Sequence, residues 1–582
     1  MRFPVWRRGA DRDLSWLSSV VRGIVSGIVG SVARVASLVA EWLAEVRAGA
    51  APFFWRLLPP VFLLVLAARL IAVGPTALGQ IGAAQQIFLP SVAAGAPALT
   101  ATYDWLQYNG DSAHSGNNTL ESRISANNVA SLSQVFRASL PDVADGAPVY
   151  LRGVATVTGT HDLLFATTRS GDIVALDAHT GAQIWDKQHP ADGCLINGGP
   201  SVCYTTSSPA IDPNRRFVYS YGLDGRAHKH QVGDGTEVTS GGWPELATLK
   251  GGSEKGSSAL TIATTRGGTT YLYVANGGYP GDAGDYQGHV TAINLATGQQ
   301  GVFNATCSDQ PVHFVAGPAV PSCPFVQTAV WNRPGVVYDS ATDRLYTATG
   351  NGTFDPAKHA WGDSVLAIAP DGTGLLGDPL DTYTPTNYQD LQRTDTDLGS
   401  TGPTLLSAPS GSLVAHLAVQ GGKDGLLRLL NLDNLGGAGS PAPGKTGGEI
   451  GSPVAVPQGG EILTQPATWR DPSDGSEWVF VTTAGGISAH RVGLGADQLP
   501  KLTLVWANSA SGDGGFSPLV ANGVVYYASS GIIRALSPTT GKLLWSSTGI
   551  GSIHWESPVV VSGVLYLVDE TAHLTAFAPS LP

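Results

Sequence analysis

An all-β, eight-bladed β-propeller is the fold the sequence predicts, and three observations predict it. With 74 Gly, 38 Pro, one Met and 13% charged residues in 582, the composition describes many short strands broken by turns. One strand–turn–strand unit recurs eight times across residues 132–579. Lastly, an unpaired strand stands before the first unit while the last unit lacks its outermost strand.

The chain opens differently. Leu17, Val21, Ile24, Ile28, Val32, Val35, Val39, Trp42 and Val46 recur at helical spacing, with Arg22, Arg34 and Arg47 among them. This basic, amphipathic region, residues 1–56, either rests on an anionic membrane surface or packs on a partner or itself. Residues 57–73 are apolar apart from Arg69 and reach the lower limit of roughly 17 residues for a spanning helix. Arginines at 2, 7, 8, 12, 22, 34, 47 and 56 would hold the amino terminus inside and send the rest outward. Gly74 and Pro75 break the helix, and Ala77 and Gly79 are small enough for a signal peptidase, so 57–79 reads as a cleaved signal or a retained anchor. Residues 80–104, rich in Ala, Pro and small side chains, read as a linker. The expected location is therefore extracytoplasmic, in a periplasm or at the cell surface, with the membrane as a partner through this segment. A net charge of -12 without a basic stripe in the body argues against nucleic acid.

Four cysteines agree with export. Cys194 and Cys203 bracket one short loop and Cys307 and Cys323 another, a spacing suited to two local disulfides, and no CxxC is present.

The repeat builds residues 105–582. Its turn residues are Gly171, Gly225, Gly288, Asp363, Gly425, Gly485, Gly531 and Ala572. Four positions after each stand Ala175, Lys229, Ala292, Ala367, Leu429, Ala489, Ala535 and Ala576. Upstream lie pairs of strand formers, from Leu164-Phe165 and Val218-Tyr219 through His416-Leu417 in the fifth unit to Leu565-Tyr566 in the eighth. Two copies carry a fuller signature, Ala175 to Thr180-Gly181 and Trp185, and Ala535 to Thr540-Gly541 and Trp545. The Thr-Gly turn reverses the chain, and the Trp offers a flat face to the neighbouring blade. The last unit ends near Pro579, whereas residues 132–140, centred on Phe136, precede the first unit unpaired. Joining the two in one blade leaves no free sheet edge.

On these motifs the chain resembles the quinoprotein repeat family, and the segment from Trp105 to Gly116 is similar to the family's lead-in. The resemblance spans roughly residues 105–579 and implies a pyrroloquinoline quinone site on the propeller axis, with Ca²⁺ against the quinone. Tyr346-Thr-Ala-Thr-Gly350-Asn351 resembles the strand and loop whose Asn ligates the metal in methanol dehydrogenases. The run from Asp395 to Leu406 resembles the stretch bearing the base, at whose position Asp397 falls; Lys423-Asp-Gly425 resembles the stretch that contacts quinone. An Asp near a divalent cation stays ionised, an amide adds a ligand, and a Lys polarises a carbonyl that accepts hydride. Each also has a plainer explanation: Asn351-Gly352 as a turn, Asp397 as a loop cap, Lys423 in a wet channel.

The chain departs from the family where the metal-binding Glu belongs, since Ala283 takes that position. Asp282 or Asp285 substitutes as a metal ligand if their loop bends inward; otherwise both are solvated turn residues. The adjacent-cysteine ring of methanol dehydrogenases is missing, and the Cys194 to Cys203 loop occupies roughly its region. Trp331-Asn-Arg333-Pro334 looks more like polyvinyl alcohol dehydrogenases, with Trp331 either a stacking floor for the cofactor or core. Gly439 to Thr446 matches the P-loop expression, but its two prolines and the Gly447-Gly448 that follows deny it a cradle and helix. His228 and His230, two apart, share one strand face with no third ligand at recognisable spacing.

Two functions follow. One is an exported binding or scaffolding propeller with a protein, glycan or alcohol ligand, as in outer-membrane assembly factors of similar fold. The other is a dehydrogenase dependent on pyrroloquinoline quinone and Ca²⁺ that oxidises alcohol or sugar hydroxyls, with Asp397 as base.

Overall fold

The computed structural model describes residues 103–580 except 192, 438, 440 and 510–516. The amino-terminal amphipathic and apolar segments lie outside these residues; among the described ones no helix is long and apolar enough to cross a membrane.

Eight sheets of four or five strands, antiparallel except where Asn117–Asn118 adds a parallel strand to the seventh, follow one another along the chain, which makes an eight-bladed propeller. Blade 1 runs Val149–Thr156, Gly159–Thr167, Ile173–Asp177 and Gln183–Lys187, from its first, innermost strand outward. In every blade the residue four positions past the turn lies opposite a large side chain of the second strand. The pairs include Phe165 with Ala175, Tyr219 with Lys229, Tyr346 with Ala367 and Tyr566 with Ala576. In six blades that residue is Ala, and a small residue facing a bulky one lets neighbouring sheets interdigitate; blades 2 and 5 carry Lys229 and Leu429 instead. In the fifth blade the residue that faces Leu429 is Val419.

Sequence signature becomes blade-to-blade contact at the outermost strands. Trp185 of blade 1 donates its indole N–H to the Val232 carbonyl of blade 2 at 3.1 Å, and Trp506 of blade 6 does the same to Pro538 of blade 7 at 2.7 Å. Beneath these rings lie Gly235 and Gly541, both at positive φ, where a Cβ would stand 2.6 to 2.7 Å from the indole. Gly is required there on both counts. Phe136 covers Gly181 of blade 1 in the same way.

Phe136 belongs to Leu132–Ser139, which pairs antiparallel with His573–Pro579 and supplies the outermost strand of blade 8. Trp545 of blade 7 donates to the Leu132 carbonyl at 3.0 Å. The ring is thus closed by both ends of the repeat region, as the sequence predicts, and blade 8 has no open outer edge.

The lead-in is wedged inside the ring of first strands. Trp105 and Tyr150 exchange backbone hydrogen bonds; Ile211 donates to Leu106, Tyr338 to Ser112, Thr468 to Ser115 and Val520 to Gly116. Gln107 accepts from the Ile262 N–H, and Asn118 donates to the Val560 carbonyl. Seven of the eight blades therefore hold this one segment, and Tyr108 and His114 within it are fully buried.

Both expected disulfides are present, Cys194 to Cys203 and Cys307 to Cys323, with Cα atoms 5.0 and 6.0 Å apart. The first closes a small hairpin, Cys194–Ile196 with Gly199–Ser201, whose tip donates from the Asn197 N–H to the Pro280 carbonyl.

Candidate functional site at one end of the axis

Loops that follow second strands and loops that join blades open on the same end of the propeller. Asn351 follows the second strand of blade 4 (Arg344–Ala348), and Lys423 that of blade 5 (His416–Gln420). Asp282 follows Thr270–Gly278, the second strand of blade 3. Trp331, Asp397 and Trp555 lie in the loops that lead into blades 4, 5 and 8. Positions far apart in sequence converge because every blade contributes the same two loops to one face.

They meet around a cavity of about 330 Å³ lined by Asp282, Asp397, Lys423, Trp331, Trp555 and Lys255. Asp397 is its hub. Its Oδ2 accepts from the Trp331 indole N–H at 2.9 Å and lies 3.3 Å from Lys423 Nζ, while its Oδ1 faces the Asn351 backbone N–H at 3.4 Å. The Asn351 amide nitrogen donates to Asp395 at 3.0 Å and to Asp282 at 3.3 Å. Asp282 also accepts from the Tyr286 hydroxyl at 2.6 Å. Gly350 admits this crowding, since a Cβ there would stand 3.0 Å from both Asp397 Oδ2 and Trp331 Nε1.

Asp397 does not act as the loop cap of the plainer reading, whereas Lys423 does line the axial cavity. Asp397 precedes the short 3-10 turn Leu398–Ser400 but makes no capping hydrogen bond with its side chain. Lys423 is held against Asp397 and Asp395, its ammonium 5.3 Å above the Trp331 ring. Trp331 is not simply core: it stacks on Trp555 with centroids 5.6 Å apart, and both rings line the cavity.

Asp285 is a correction. It does not join the cluster, because Gln287 (2.8 Å), the Gly317 N–H (2.7 Å) and Lys250 (3.7 Å) hold its carboxylate away. The loop bends inward at Asp282 alone, where the backbone takes a positive φ.

Three members of the site escape the motifs. Asp395, two residues before Asp397, adds a third carboxylate; the Asp-Thr-Asp spacing signals it. Lys255 and Trp555 carry no local signature, and only the folded ring brings them to the axis. Lys255 is buried and has one hydrogen bond, to Thr206 Oγ1 at 3.3 Å, and no ion pair among the described residues. Beside it Arg333, also buried, donates to the Thr206 and Asp145 carbonyls and leaves its Nε unpartnered.

Burial sets the electrostatics. It pushes Asp397 up, against the pull of Lys423 and with help from Asp395 and Asp282. Asp363, which accepts from the Leu398 N–H just behind the site, is pushed up to about 8 by burial. Lys423 loses charge affinity through burial but gains more from Asp397 and Asp395, so its value rises. Burial lowers Lys255 from 10.5 to about 7. Because the unfolded chain binds more protons than the folded one between those values, Lys255 costs stability below about pH 7, and that cost fades as pH rises toward 10.5. Lys255→Met is therefore expected to raise the thermal midpoint most in mildly acidic buffer, with the difference from wild type closing at high pH. Melting curves across that range check it.

The sequence family is decided by model matches. The model described as "Glucose/ethanol/alcohol dehydrogenase, beta-propeller domain" matches residues 105–370, and that of outer membrane protein assembly factor BamB matches residues 453–580. Residues 105–370 and 453–580 thus carry PQQ-like β-propeller repeats. No curated protein sequence matches it. Among solved structures it is similar to a quinohemoprotein alcohol dehydrogenase of Pseudomonas putida, at 15% identity and TM-score 0.56, over 82% of this chain and 81% of that one. The corresponding enzyme of Comamonas testosteroni matches at 15% identity and TM-score 0.55, over 83% and 82%. A europium-containing methanol dehydrogenase matches at 15% and 0.53, over 82% and 98%. At this identity the family's structures share the fold with the chain, and the residues of the site must argue for its chemistry.

Proposed function

We propose that the chain is an exported dehydrogenase that binds pyrroloquinoline quinone and a calcium-type cation at the axial cavity and oxidises hydroxyl compounds. One observation carries this reading: Asn351, Asp397 and Lys423, each picked out by its own motif, meet in a single slot with a carboxylate, Asp282, in place of the missing Glu.

The residues suit the two ligands. Carboxylates of Asp282, Asp395 and Asp397 suit a hard cation, and the Asn351 amide completes an all-oxygen donor set when it turns its oxygen, in place of the nitrogen that faces Asp282 and Asp395, toward the ion. Trp331 and Trp555 present flat apolar surface, while Lys255 and Arg333 are buried basic side chains that form no ion pair among the described residues and suit a polycarboxylate. When bound, the quinone supplies the carbonyls that accept hydride. The chain supplies the rest: Asp397, its proton affinity raised by burial, takes the hydroxyl proton at a carboxylate oxygen. Lys423 stays protonated and holds the Asp397 side chain in place. Tyr108 and Arg333 are both buried, with the guanidinium 5.7 Å from the Tyr108 ring. Two disulfides and the arginine-rich leader support export, where such bonds persist.

The test is reconstitution of the folded protein with pyrroloquinoline quinone and Ca²⁺, followed by dye reduction with primary alcohols, polymeric alcohols and sugars. The expected result is one quinone per chain and calcium-dependent reduction with one of these classes. A folded protein that takes up no quinone leaves the scaffolding reading in its place.

A further inference from the structure

Away from the axis, blades 1 and 2 meet at a second cluster. His228 and His230 lie on Arg226–Gln231, the third strand of blade 2, and strand periodicity puts them on one face. The sequence offers them no third ligand at recognisable spacing, but the structure does: His189, just beyond the outermost strand of blade 1, and Glu237, in the loop that follows His230. One ligand atom from each of the four lies within 4.8 Å of all the others.

The hydrogen bonds around the cluster orient it as outer partners orient metal ligands. His230 Nδ1 lies 3.1 Å from the Gly235 carbonyl, which can only accept, so the proton sits on Nδ1 and the Nε2 lone pair is free. That Nε2 faces His189 Nε2 at 3.0 Å, near the ~3.3 Å that separates neighbouring donors around a tetrahedral ion with bonds of ~2.0–2.1 Å. The His228 ring stands between two carboxylates, Glu237 Oε1 at 2.6 Å from Nδ1 and Asp224 Oδ1 at 3.0 Å from Nε2. Asp224 is the kind of second partner that fixes a ligating imidazole. His228 and His230 are 3% and 0% exposed, so their donors are already withdrawn from water; His189 is stacked on His228 with ring centroids 3.4 Å apart, and it is this partly exposed ring that must turn to aim its nitrogen at a common ion.

We propose that His189, His228, His230 and Glu237 form a zinc-type metal site that staples blade 1 to blade 2. Three imidazoles and one carboxylate complete a tetrahedral N₃O set, which selects zinc-like ions over calcium. A closed set of four protein ligands is structural in character. The metal fixes the chain at His189, directly before Cys194 and the disulfide hairpin that rests on Pro280 beside Asp282.

The full chain, freed of any affinity tag and stripped with a chelator, is titrated with Co²⁺ and then Zn²⁺. The expected result is one equivalent of cobalt with the visible bands of a four-coordinate ion, displaced by zinc, and a thermal midpoint raised by either metal. His189→Ala, at a partly exposed position, and Glu237→Gln are expected to weaken binding about 100-fold or more while melting cooperatively without metal. Asp397→Asn is expected to bind cobalt as wild type does, which separates this site from the axial one. No cobalt spectrum in the wild-type protein, or one unchanged in both cluster variants, overturns the proposal and leaves a hydrogen-bonded histidine cluster.

Discussion

Asp397→Asn is expected to lower the rate of quinone-coupled hydroxyl oxidation by about 10²- to 10⁴-fold, the usual contribution of a positioned base. The amide is nearly the same size, so the cavity and the Trp331 contact persist, while the group that accepts the proton is lost. Asp395→Asn is the internal control. Its side chain is far more exposed and does not touch Trp331, so on the proposed reading it raises the calcium needed for half-maximal activity and affects turnover at saturating calcium much less. Steady-state rates at several calcium concentrations distinguish the two. Equal losses of turnover in both variants, unrelieved by calcium, would show that Asp397 has no special part in proton transfer.

A chain that begins at residue 141 is expected not to fold to a soluble monomer. It lacks Leu132–Ser139, which leaves His573–Pro579 with a row of unpaired backbone groups on an apolar strand, and it lacks the lead-in that seven blades hold. An exposed edge of this kind pairs with other chains. A chain that begins at residue 103 keeps both elements and is expected to melt at the full-length temperature. Size-exclusion chromatography and thermal melts compare the two; a monomeric, cooperatively melting 141–582 fragment would show that closure contributes little.

The ring was legible in the sequence because its code is local. A turn residue, an Ala four places on in six of the blades and an aromatic in the preceding strand of seven recur along the chain, and the strand around Phe136 stood out as lacking a neighbour. The axial site was legible in part. Asn351, Asp397 and Lys423 sit in motifs, but Asp282 and Asp285 are equivalent to a reader of sequence. A positive φ at Asp282 and the pull of Lys250 on Asp285 decide between them. Lys255 and Trp555 were invisible because their neighbours are contributed by other blades. The histidine cluster was hidden for the same reason: His189 and His230 touch across a blade boundary, where no short spacing rule applies.

The lead-in has a consequence for biosynthesis. Residues 105–118 leave the ribosome before any blade, yet they bond to first strands as late as Val520 and Val560, and Leu132–Ser139 waits for His573–Pro579. The earliest-made segment thus finds its last partners only when translation is almost complete. Individual blades can form as they emerge, but the finished circle cannot, so maturation is a late event governed by contacts between distant ends of the polypeptide and correspondingly slow.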